Sequence, residues 1–286
     1  MTPLRQKMID AMQLRGFAAR THESYLSAVT ALAKYYHRTP EQLSVDEIQA
    51  YFQYLVKERG LSGATCRLYL NAIRFLYLQV LKQPTFDVTF QMPKKLYRIP
   101  ELLTRSEVGQ ILSAVNNSKH RIMLMTCYGC GLRVNELVHL KVRHIDGERR
   151  LLRVEQGKGG KDRQVILSDG LLQPLRAYWQ RYHPTVWLFP GREPDQPMDV
   201  SSPQRVFTIA KKRAGIDKVG GIHSLRHAYA THQLEAGLPV HQLQQLLGHQ
   251  NIHSTLHYVH WVPGQYREGE TGVDLIAGLV VDHGDH

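Results

Sequence analysis

The stretch Ile222 to Trp261, IHSLRHAYATHQLEAGLPVHQLQQLLGHQNIHSTLHYVHW, decides how this chain is interpreted. It reads as three short helices, because Gly237 and Gly248 are typical helix ends and Pro239 is well placed in a first helical turn. We expect Tyr258 to lie on the third of these helices.

Four side chains suited to phosphoryl chemistry lie within this stretch. His223 and Arg226 are three residues apart, so they can share one face of a helix. His249 follows the second helix, and Tyr258 comes nine residues later. A guanidinium, two imidazoles and a phenol offer hydrogen-bond donors, proton carriers and a nucleophile. This combination suits a tetrahedral anion under attack, of which phosphate is the obvious example.

The composition indicates a globular protein with a polyanionic partner. The chain has 286 residues, 43% of them hydrophobic, which is enough for two domains. Its formal net charge of +11 favours nucleic acid over a membrane surface as the polyanionic partner. The basic residues exceed the acidic ones by 14 to 7 in residues 1–100 and by 22 to 13 in residues 101–267. Residues 268–286 hold five acidic residues and no basic one, so this tail is not expected to bind the anion.

Cysteine usage and apolar runs predict a cytoplasmic protein without a membrane partner. Three cysteines, Cys66, Cys127 and Cys130, do not make a disulfide framework, and the N-terminus lacks the apolar region of a signal peptide. No apolar run reaches the roughly 18 residues that a membrane span needs. Cys127 and Cys130 match a redox C-x-x-C pattern, but a helix rather than a strand precedes them, which favours two packing thiols.

Residues 2–83 show four helical patterns. The helices are expected from Thr2-Pro3, over Thr21 to His37, from the capping box at Ser44 and from about Ser62. The last of them places on one side the apolar residues Leu68, Ala72, Phe75, Leu76 and Val80. Two interpretations stay open for the basic residues of this module: a solvated surface, or a surface that binds DNA.

Residues 84–100 contain three prolines and little periodicity, which predicts an extended linker. Its basic residues, Lys94, Lys95 and Arg98, are candidate DNA contacts. The expected organisation is a helical DNA-binding domain over 1–90, a linker over 91–100, a second domain over 101–267 and an acidic tail over 268–286.

The second domain begins with helices and then changes to strand patterns. A capping box at Thr104 opens its first helix, and Gly129 and Gly131 break a later one before Arg133 begins another. Strands are expected over 150–156 and 163–167, with a Gly-rich hairpin between them that presents Lys158 and Lys161.

Two further patterns in this domain bear on phosphate binding. The segment between the strands lacks the GxxxxGK[ST] pattern, so nucleotide binding is rejected. Helices are expected over 168–183 and from Ser202 to Ala214. On the latter, Lys211 and Lys212 belong either to a solvated face or to a contact with the phosphate backbone.

Four blocks of sequence in order resemble the tyrosine recombinase (phage integrase) family. They are GLRVNEL with Arg133, the GKGGK hairpin with Lys158, HSLRHAYATH with His223 and Arg226, and LLGHQNIHSTLHY with His249 and Tyr258. The resemblance covers roughly residues 105–262, and the N-terminal module resembles the core-binding domain of the family. It implies a mainly α fold with a small antiparallel β-sheet in the catalytic domain and an all-α N-terminal domain.

The resemblance implies cleavage and rejoining of DNA strands in DNA integration and recombination. Tyr258 would attack a phosphodiester, form a 3′-phosphotyrosyl link and release a 5′-hydroxyl, with no cofactor, ATP or metal. Arg133 and Arg226 would stabilise the charge of five-coordinate phosphorus. Lys158 would protonate the leaving oxygen, and His223 would receive the phenol proton.

The resemblance also extends to supporting residues and to assembly. His249 would hydrogen-bond the phosphate, and Glu136 matches a further acidic position of the family that orients the site. The expected partners are double-stranded DNA and three more copies of the chain, as a homo-tetramer on two recombination sites. The predicted DNA contacts are Lys94, Lys95, Arg98, Lys161, Lys211 and Lys212.

Other functions stay open at this point. A type IB topoisomerase shares the chemistry, and a DNA-binding protein that has lost catalysis shares the charge. The pairs His223/His227 and His253/His257 have the spacing of zinc ligands, but no Cys or carboxylate ligand set accompanies them. For the tail, an apolar cluster between Val273 and Val280 predicts a short helix that docks either on a neighbouring subunit or on its own domain.

Overall fold

Three of the four helices of the N-terminal part begin at a polar side chain that caps them, namely Thr2, Ser44 or Ser62. A computed structural model describes residues 2–84, 86–87, 100–155 and 162–262, and the chain divides into two units, Met1–Arg98 and Ile99–His286. In the first unit, Ser44 Oγ accepts from the Glu47 backbone N–H, and Glu47 returns a hydrogen bond to the Ser44 N–H. This confirms the predicted capping box.

Four helices build the first unit around one apolar core. Their bounds are α1 Pro3–Leu14, α2 Ala19–Tyr36, α3 Val45–Lys57 and α4 Gly63–Arg74, with a 3₁₀ turn at Pro40–Gln42 and a π-helical continuation of α4 at Phe75–Val80. The apolar side of α4 was predicted wrongly at Leu68, which is 38% exposed. Ala72, Phe75 and Leu76 are buried as predicted. The buried side also includes Cys66, Leu70 and Ile73, which lie three or four residues apart and so share one face of the helix.

The second unit has eight helices and three strands among its described residues. In chain order they are α5 Arg105–Ser113, α6 Ser118–Gly129, α7 Val134–Val138, β1 Ile145–Asp146, β2 Leu151–Val154, β3 Arg163–Ile166, α8 Asp169–Tyr182, α9 Ser201–Arg213, α10 His223–Glu235, α11 Val240–Leu247 and α12 His253–Trp261. The mainly helical fold with a small antiparallel sheet is therefore confirmed.

The sheet has the order β1-β2-β3 with both pairs antiparallel. Strand β1 was not predicted, because two residues give no readable alternation. In β3 and just after it, Val165 and Leu167 are buried whereas Ile166 is 64% exposed. Since side chains alternate along a strand, Arg163 belongs to the buried side of the sheet.

The turn after α6 differs from the predicted one in its position. Gly129 is the last residue of α6 rather than a break, and the chain turns at Gly131, where φ is +57°. A Cβ at Gly131 would also lie 2.4 Å from Tyr229 Cδ1, so both the backbone and the packing require glycine. Arg133 then caps α7 in an extended conformation instead of starting the helix.

Several predicted features lie outside the described residues. They are the linker residues Lys94, Lys95 and Arg98, the hairpin residues Lys158 and Lys161, and the acidic tail 268–286. Among the residues that are described, no helix is long and apolar enough to cross a membrane.

Candidate active site

Three arginines surround one buried carboxylate, and we call this cluster the arginine centre: Arg133, Arg163 and Arg226 around Glu136. Arg163 pairs in bidentate fashion with Glu136, Nη1 to Oε1 at 2.8 Å and Nη2 to Oε2 at 2.7 Å. Arg133 donates through Nη1 at 2.8 Å and through its backbone N–H at 2.9 Å. Arg226 Nη1 lies 3.8 Å from Glu136 Oε2. The sequence thus brings residues from α7, β3 and α10 to one carboxylate.

Backbone carbonyls hold the arginines from the other side. Arg226 donates from Nη1 to the Gly131 carbonyl at 2.6 Å and from Nη2 to the Leu247 carbonyl at 2.7 Å. Arg163 Nε donates to the Leu246 carbonyl at 2.8 Å. The last carbonyls of a helix have no intrahelical partner, so the end of α11 is a natural acceptor for cations. The turn at Gly131 and the end of α11 therefore fix the position of Arg226.

The charges of the arginine centre shift the pKa values of its members. Burial raises the pKa of Glu136, but the hydrogen bond and charge of Arg163, the backbone N–H of Arg133 and the charge of Arg226 outweigh it and set this pKa at about 2. Burial and the nearby charge of Arg133 lower the pKa of Arg226 to about 10. At neutral pH the centre therefore holds three cations and one anion.

Tyr258 lies in a pocket of aromatic rings that we call the tyrosine pocket: Tyr258, His227, His249 and Trp261. The tyrosine is 4% exposed, and its hydroxyl lies 3.2 Å from His227 Nδ1. The His249 ring is parallel to the Tyr258 ring. Trp261 packs edge-on against the Tyr258 ring, with 5.1 Å between the ring centroids. Burial raises the pKa of Tyr258, although the charge of Arg226 and a hydrogen bond with it act in the opposite direction. The phenol is therefore protonated in this conformation.

His249 connects the tyrosine pocket to the arginine centre. Its Nε2 lies 3.0 Å from Arg226 Nη2, and its Nδ1 lies 2.9 Å from Thr255 Oγ1. A guanidinium always donates, so Nε2 accepts from Arg226 and Nδ1 carries the proton. Burial and the charge of Arg226 lower the pKa of His249 to about 4, which keeps the ring neutral at pH 7.

Helix α10 contributes His227 to the tyrosine pocket and places His223 beside it. His223 is the first residue of α10, and its ring centroid is 4.5 Å from that of His227. Desolvation and the charges of Arg226 and Arg133 lower the pKa of His223. Burial, with smaller effects from His223 and Arg226, lowers the pKa of His227 to about 4. Both rings are thus poised to be neutral, and a neutral imidazole can accept a proton.

The structure brings together six of the seven predicted catalytic and supporting residues, and the seventh, Lys158, lies outside the described residues. Those that converge are Arg133, Glu136, His223, Arg226, His249 and Tyr258. Lys211 and Lys212, the predicted DNA contacts on α9, lie elsewhere. Lys211 Nζ donates to the carbonyls of Lys218 and Gly220, whereas Lys212 is exposed. The ammonium of Lys211 thus holds the loop before α10.

Two residues of the site were not assigned a catalytic or supporting role from the sequence. Arg163 was treated as an ordinary strand residue, although its alternation with Val165 places a charge on the buried side of β3. A charge on a buried face signals a buried ion pair. His227 was considered as a zinc ligand and not as a partner of Tyr258. Its spacing of four from His223 signals a shared helix face, but the tyrosine contact depends on α12.

The described residues were searched for clusters of metal ligands and for reactive thiols. Across residues 2–84, 86–87, 100–155 and 162–262, no three His, Cys, Asp or Glu side chains converge as a metal site would. Cys127 and Cys130 are buried free thiols, and burial raises the pKa of each to about 12. A thiol with such a pKa is not a reactive thiolate, which agrees with packing thiols.

Comparison with known proteins identifies relatives along nearly the whole chain. Residues 101–263 match the phage integrase family, and residues 4–87 match the N-terminal SAM-like domain of phage integrases. The integrase/recombinase y4qK of Sinorhizobium fredii is 40% identical over 260 residues, which cover 91% of this chain and 84% of the relative. Tyrosine recombinase XerA of Thermococcus onnurineus is 34% identical over 230 residues, covering 79% of this chain and 80% of XerA.

A solved structure shares the fold at lower identity. The crystal structure of a lambda integrase dimer bound to a COC′ core site matches with a TM-score of 0.72 and 20% identity, covering 87% of this chain and 94% of that chain.

Proposed function

The chain belongs to the phage integrase family and is a tyrosine-type site-specific recombinase that acts on DNA, and we propose that Tyr258 and the arginine centre cut and rejoin its strands. One observation carries this proposal: Arg226 hydrogen-bonds His249, whose ring is stacked on that of Tyr258, beside a second cation, Arg133. A nucleophile, a hydrogen-bonding imidazole and two guanidinium groups thus lie within one site.

In the proposed reaction, Tyr258 Oη attacks the scissile phosphorus and forms a P–O bond to the enzyme. The bond from phosphorus to the 5′-oxygen breaks, and the 5′-oxygen leaves as a hydroxyl after it gains a proton. The phenol proton goes to an imidazole. The 5′-hydroxyl of a second strand reverses the step, so no energy source is consumed and the phosphotyrosyl link preserves the bond.

Arg133 and Arg226 stabilise the charge that develops on the non-bridging oxygens. Arg133 uses Nη1 for protein contacts, and no group in the described part of the chain accepts from its Nε or Nη2. Its side chain is 24% exposed, so this edge can reach a ligand. Arg226 is 1% exposed, so the phosphate must approach closely or the pocket must open. A guanidinium fork is well suited to two phosphate oxygens.

His249 can hydrogen-bond the phosphate only after its Nε2 gives up the contact with Arg226. Its Nε2 accepts from Arg226, so this atom cannot donate to an oxygen in the same tautomer. Arrival of a phosphate between Arg226 and His249 would replace that contact. Transfer of the ring proton from Nδ1 to Nε2 then makes His249 a donor, with Thr255 Oγ1 able to donate in return.

The phenol proton has two possible acceptors on α10. The family resemblance points to His223, whereas the His227 Nδ1 lies 3.2 Å from the Tyr258 hydroxyl. Both rings lie on one side of α10, with centroids 4.5 Å apart. We retain His223 as the acceptor in the DNA-bound state and assign to His227 the resting hydrogen bond. Comparing the rates of His223→Gln and His227→Gln separates the two roles, because loss of the acceptor slows cleavage more.

The remaining roles rest on the resemblance and on charge. Lys158 protonates the leaving 5′-oxygen, and the supporting Glu136 orients Arg133. Residues 1–90 and the catalytic domain 101–267 both bind DNA. The phosphate contacts are Lys94, Lys95 and Arg98 in the linker, Lys161 in the hairpin and Lys212 on α9. Lys211 keeps a lesser role in DNA binding, since it already holds two carbonyls.

The working assembly is a homo-tetramer on two recombination sites in the cytoplasm. The acidic tail 268–286 docks on a neighbouring subunit, a use that suits a segment with five acidic and no basic residues. Deletion of the tail is expected to spare binding to a single site in gel shifts and to impair recombination. Full recombination by the truncated chain would contradict this docking.

A nicked suicide duplex tests the proposed chemistry. Cleavage near the nick releases a short fragment, so the covalent protein-DNA adduct accumulates and can be mapped to Tyr258 by mass spectrometry. Strand exchange between two duplexes must accompany it. Relaxation of supercoils without exchange would indicate a topoisomerase, and duplex binding without any adduct would indicate a protein that has lost catalysis.

A further inference from the structure

Arg163 is a charged residue on the buried side of a strand. It is the first residue of β3, and its side chain is 8% exposed. Val165 and Leu167, which follow it on the same side, are each 1% exposed. A guanidinium in such surroundings requires a partner for its charge and acceptors for its donors. The position therefore implies a specific function for the arginine within the site.

The protein uses all three nitrogens of the Arg163 guanidinium. Nη1 and Nη2 each donate to one oxygen of Glu136, and Nε donates to the Leu246 carbonyl. Gly248 leaves room for this arrangement, because a Cβ there would lie 2.8 Å from Arg163 Cδ. A phosphate could bind Arg163 only in exchange for one of these contacts. Arg163 is thus not a ligand of the scissile phosphate.

The charges of the arginine centre show what Arg163 provides. Its bidentate pair with Glu136 neutralises the carboxylate and occupies both carboxylate oxygens from one side. Arg133 shares Oε1 through a single nitrogen, Nη1, so its Nε and Nη2 edge is not drawn to Glu136. Without Arg163, the buried carboxylate would have Arg133 as its nearest counterion. It would then attract the entire guanidinium of Arg133, including Nε and Nη2. A buried carboxylate pairs strongly with whatever cation is near it.

We propose that Arg163 is a positioning residue that satisfies Glu136, so that the guanidinium of Arg133 stays available to the scissile phosphate. This inference rests on the proposed role of Arg133 in catalysis. In this inference Glu136 and Arg163 act together. The carboxylate of Glu136 positions Arg133, and Arg163 prevents the carboxylate from binding the whole guanidinium of Arg133. The same residue also joins β3 to the end of α11, immediately before His249.

The test is a suppressor experiment on single-turnover cleavage of a nicked suicide duplex. Arg163→Met is expected to slow cleavage by about 10- to 100-fold, since it withdraws one guanidinium from the phosphate. Adding Glu136→Gln removes the unpaired carboxylate, so the double variant is expected to be at least about tenfold faster than Arg163→Met alone. A double variant as slow as the single one, or slower, would overturn the proposal.

A second substrate separates positioning from general disorder of the site. A methylphosphonate at the scissile position carries no charge, so it needs less help from the guanidinium of Arg133. The deficits of both Arg133→Ala and Arg163→Met should shrink on this substrate. An Arg163→Met deficit that is equal on both substrates, while that of Arg133→Ala shrinks, would overturn the inference. If Arg133→Ala cleaves the ordinary duplex at the wild-type rate, the proposed function of Arg133 is wrong instead.

Control variants separate the effect of losing Arg163 from a loss of stability and from the removal of any nearby arginine. Arg153→Met removes an arginine from the neighbouring strand β2, where it pairs with the exposed Asp162, and it is expected to cleave at the wild-type rate. Melting temperatures set a working temperature at which every variant is folded. If Arg163→Met does not fold, Arg163→Lys keeps the positive charge and should stay within about fivefold of wild type. A loss by Arg163→Lys as large as that of Arg133→Ala would contradict the charge-neutralising role.

Discussion

The arginine centre and the tyrosine pocket are neighbours that are held together by different forces. In the arginine centre, charge-assisted hydrogen bonds of 2.6 to 2.8 Å join three cations to Glu136 and to backbone carbonyls. In the tyrosine pocket, the Tyr258 hydroxyl lies 3.2 Å from His227 Nδ1 and hydrogen-bonds Arg226, and the ring otherwise packs against other rings. Charge-assisted hydrogen bonds are roughly twice as strong as neutral ones. The arginine centre has several such bonds and Tyr258 has one, so the groups proposed to stabilise charge are fixed more firmly than the proposed nucleophile.

The difference agrees with what each part must do. Donors that stabilise a transition state act best when they need no rearrangement during the reaction. A buried tyrosine, by contrast, must move before it can reach a phosphate. Weak contacts around Tyr258 permit such a movement, whereas the arginine centre stays in place. Each prediction below changes one of the two parts and asks whether this contrast holds.

The largest effect is expected from the nucleophile. Tyr258→Phe should abolish formation of the covalent adduct while duplex affinity changes little, because the hydroxyl is buried against His227 and Arg226 and is the group proposed to attack the phosphorus. Adduct yield on the suicide duplex and a gel shift measure the two quantities. Tyr182→Phe, at the end of α8, is the control. Capture of the suicide duplex by the Tyr258→Phe variant, for instance through Tyr266, would show that the nucleophile is misassigned.

Next in size are the two arginines that are proposed to bind the scissile phosphate. Arg133→Ala and Arg226→Ala should each slow cleavage by about 10²- to 10³-fold, as loss of one charge-stabilising donor does. Their effects on stability should differ. Arg226 is 1% exposed and satisfies two carbonyls, so its loss costs about 1–3 kcal/mol or more, whereas the more exposed Arg133 matters less to folding.

Denaturant unfolding of both arginine variants measures this difference. Equal destabilisation by Arg133→Ala and Arg226→Ala would contradict the picture of a deeply fixed Arg226.

A smaller effect concerns the pH dependence of stability in the tyrosine pocket. The folded-state pKa of His227 is about 4, below its ordinary value of 6.5, so the unfolded chain binds more protons between these pH values. The stability that the neutral ring contributes is thus complete above pH 6.5 and is lost as the pH falls toward 4. His227→Gln should make the slope of unfolding free energy against pH shallower, by up to about 1.4 kcal/mol per pH unit.

Urea unfolding at several pH values measures this slope. The control is His241→Gln, on the exposed side of α11. A slope in His227→Gln that equals the wild-type slope would show that the ring is not buried in its neutral form.

The smallest expected effect is that of metal removal. Cleavage and strand exchange should continue at the untreated rate after dialysis against EDTA, because the groups proposed to stabilise charge are guanidinium and ammonium cations rather than a metal ion. Adduct formation before and after chelation is the measurement. Loss of activity with recovery on addition of zinc or magnesium would instead support metal binding by the histidines around Tyr258.

The order and type of the helical elements around the site could be predicted from local sequence patterns. Glycine and proline mark the ends of α10 and α11, because few other residues tolerate the φ of +64° at Gly248 or suit a helix start as proline does. The roles proposed for Arg133, Arg226, His249 and Tyr258 rest on their joint order along the chain. These are local properties, which depend on backbone preferences and on side-chain chemistry.

Which of these groups touch depends on the packing of the whole domain. Arg163 and Glu136 are 27 residues apart in sequence, and His227 and Tyr258 are 31 apart. No local preference relates residues at such distances, because their contact depends on how β3, α7, α10 and α12 pack. The partners of the nucleophile and of the central carboxylate were therefore visible only after folding, when burial gave each charge a limited choice of neighbours.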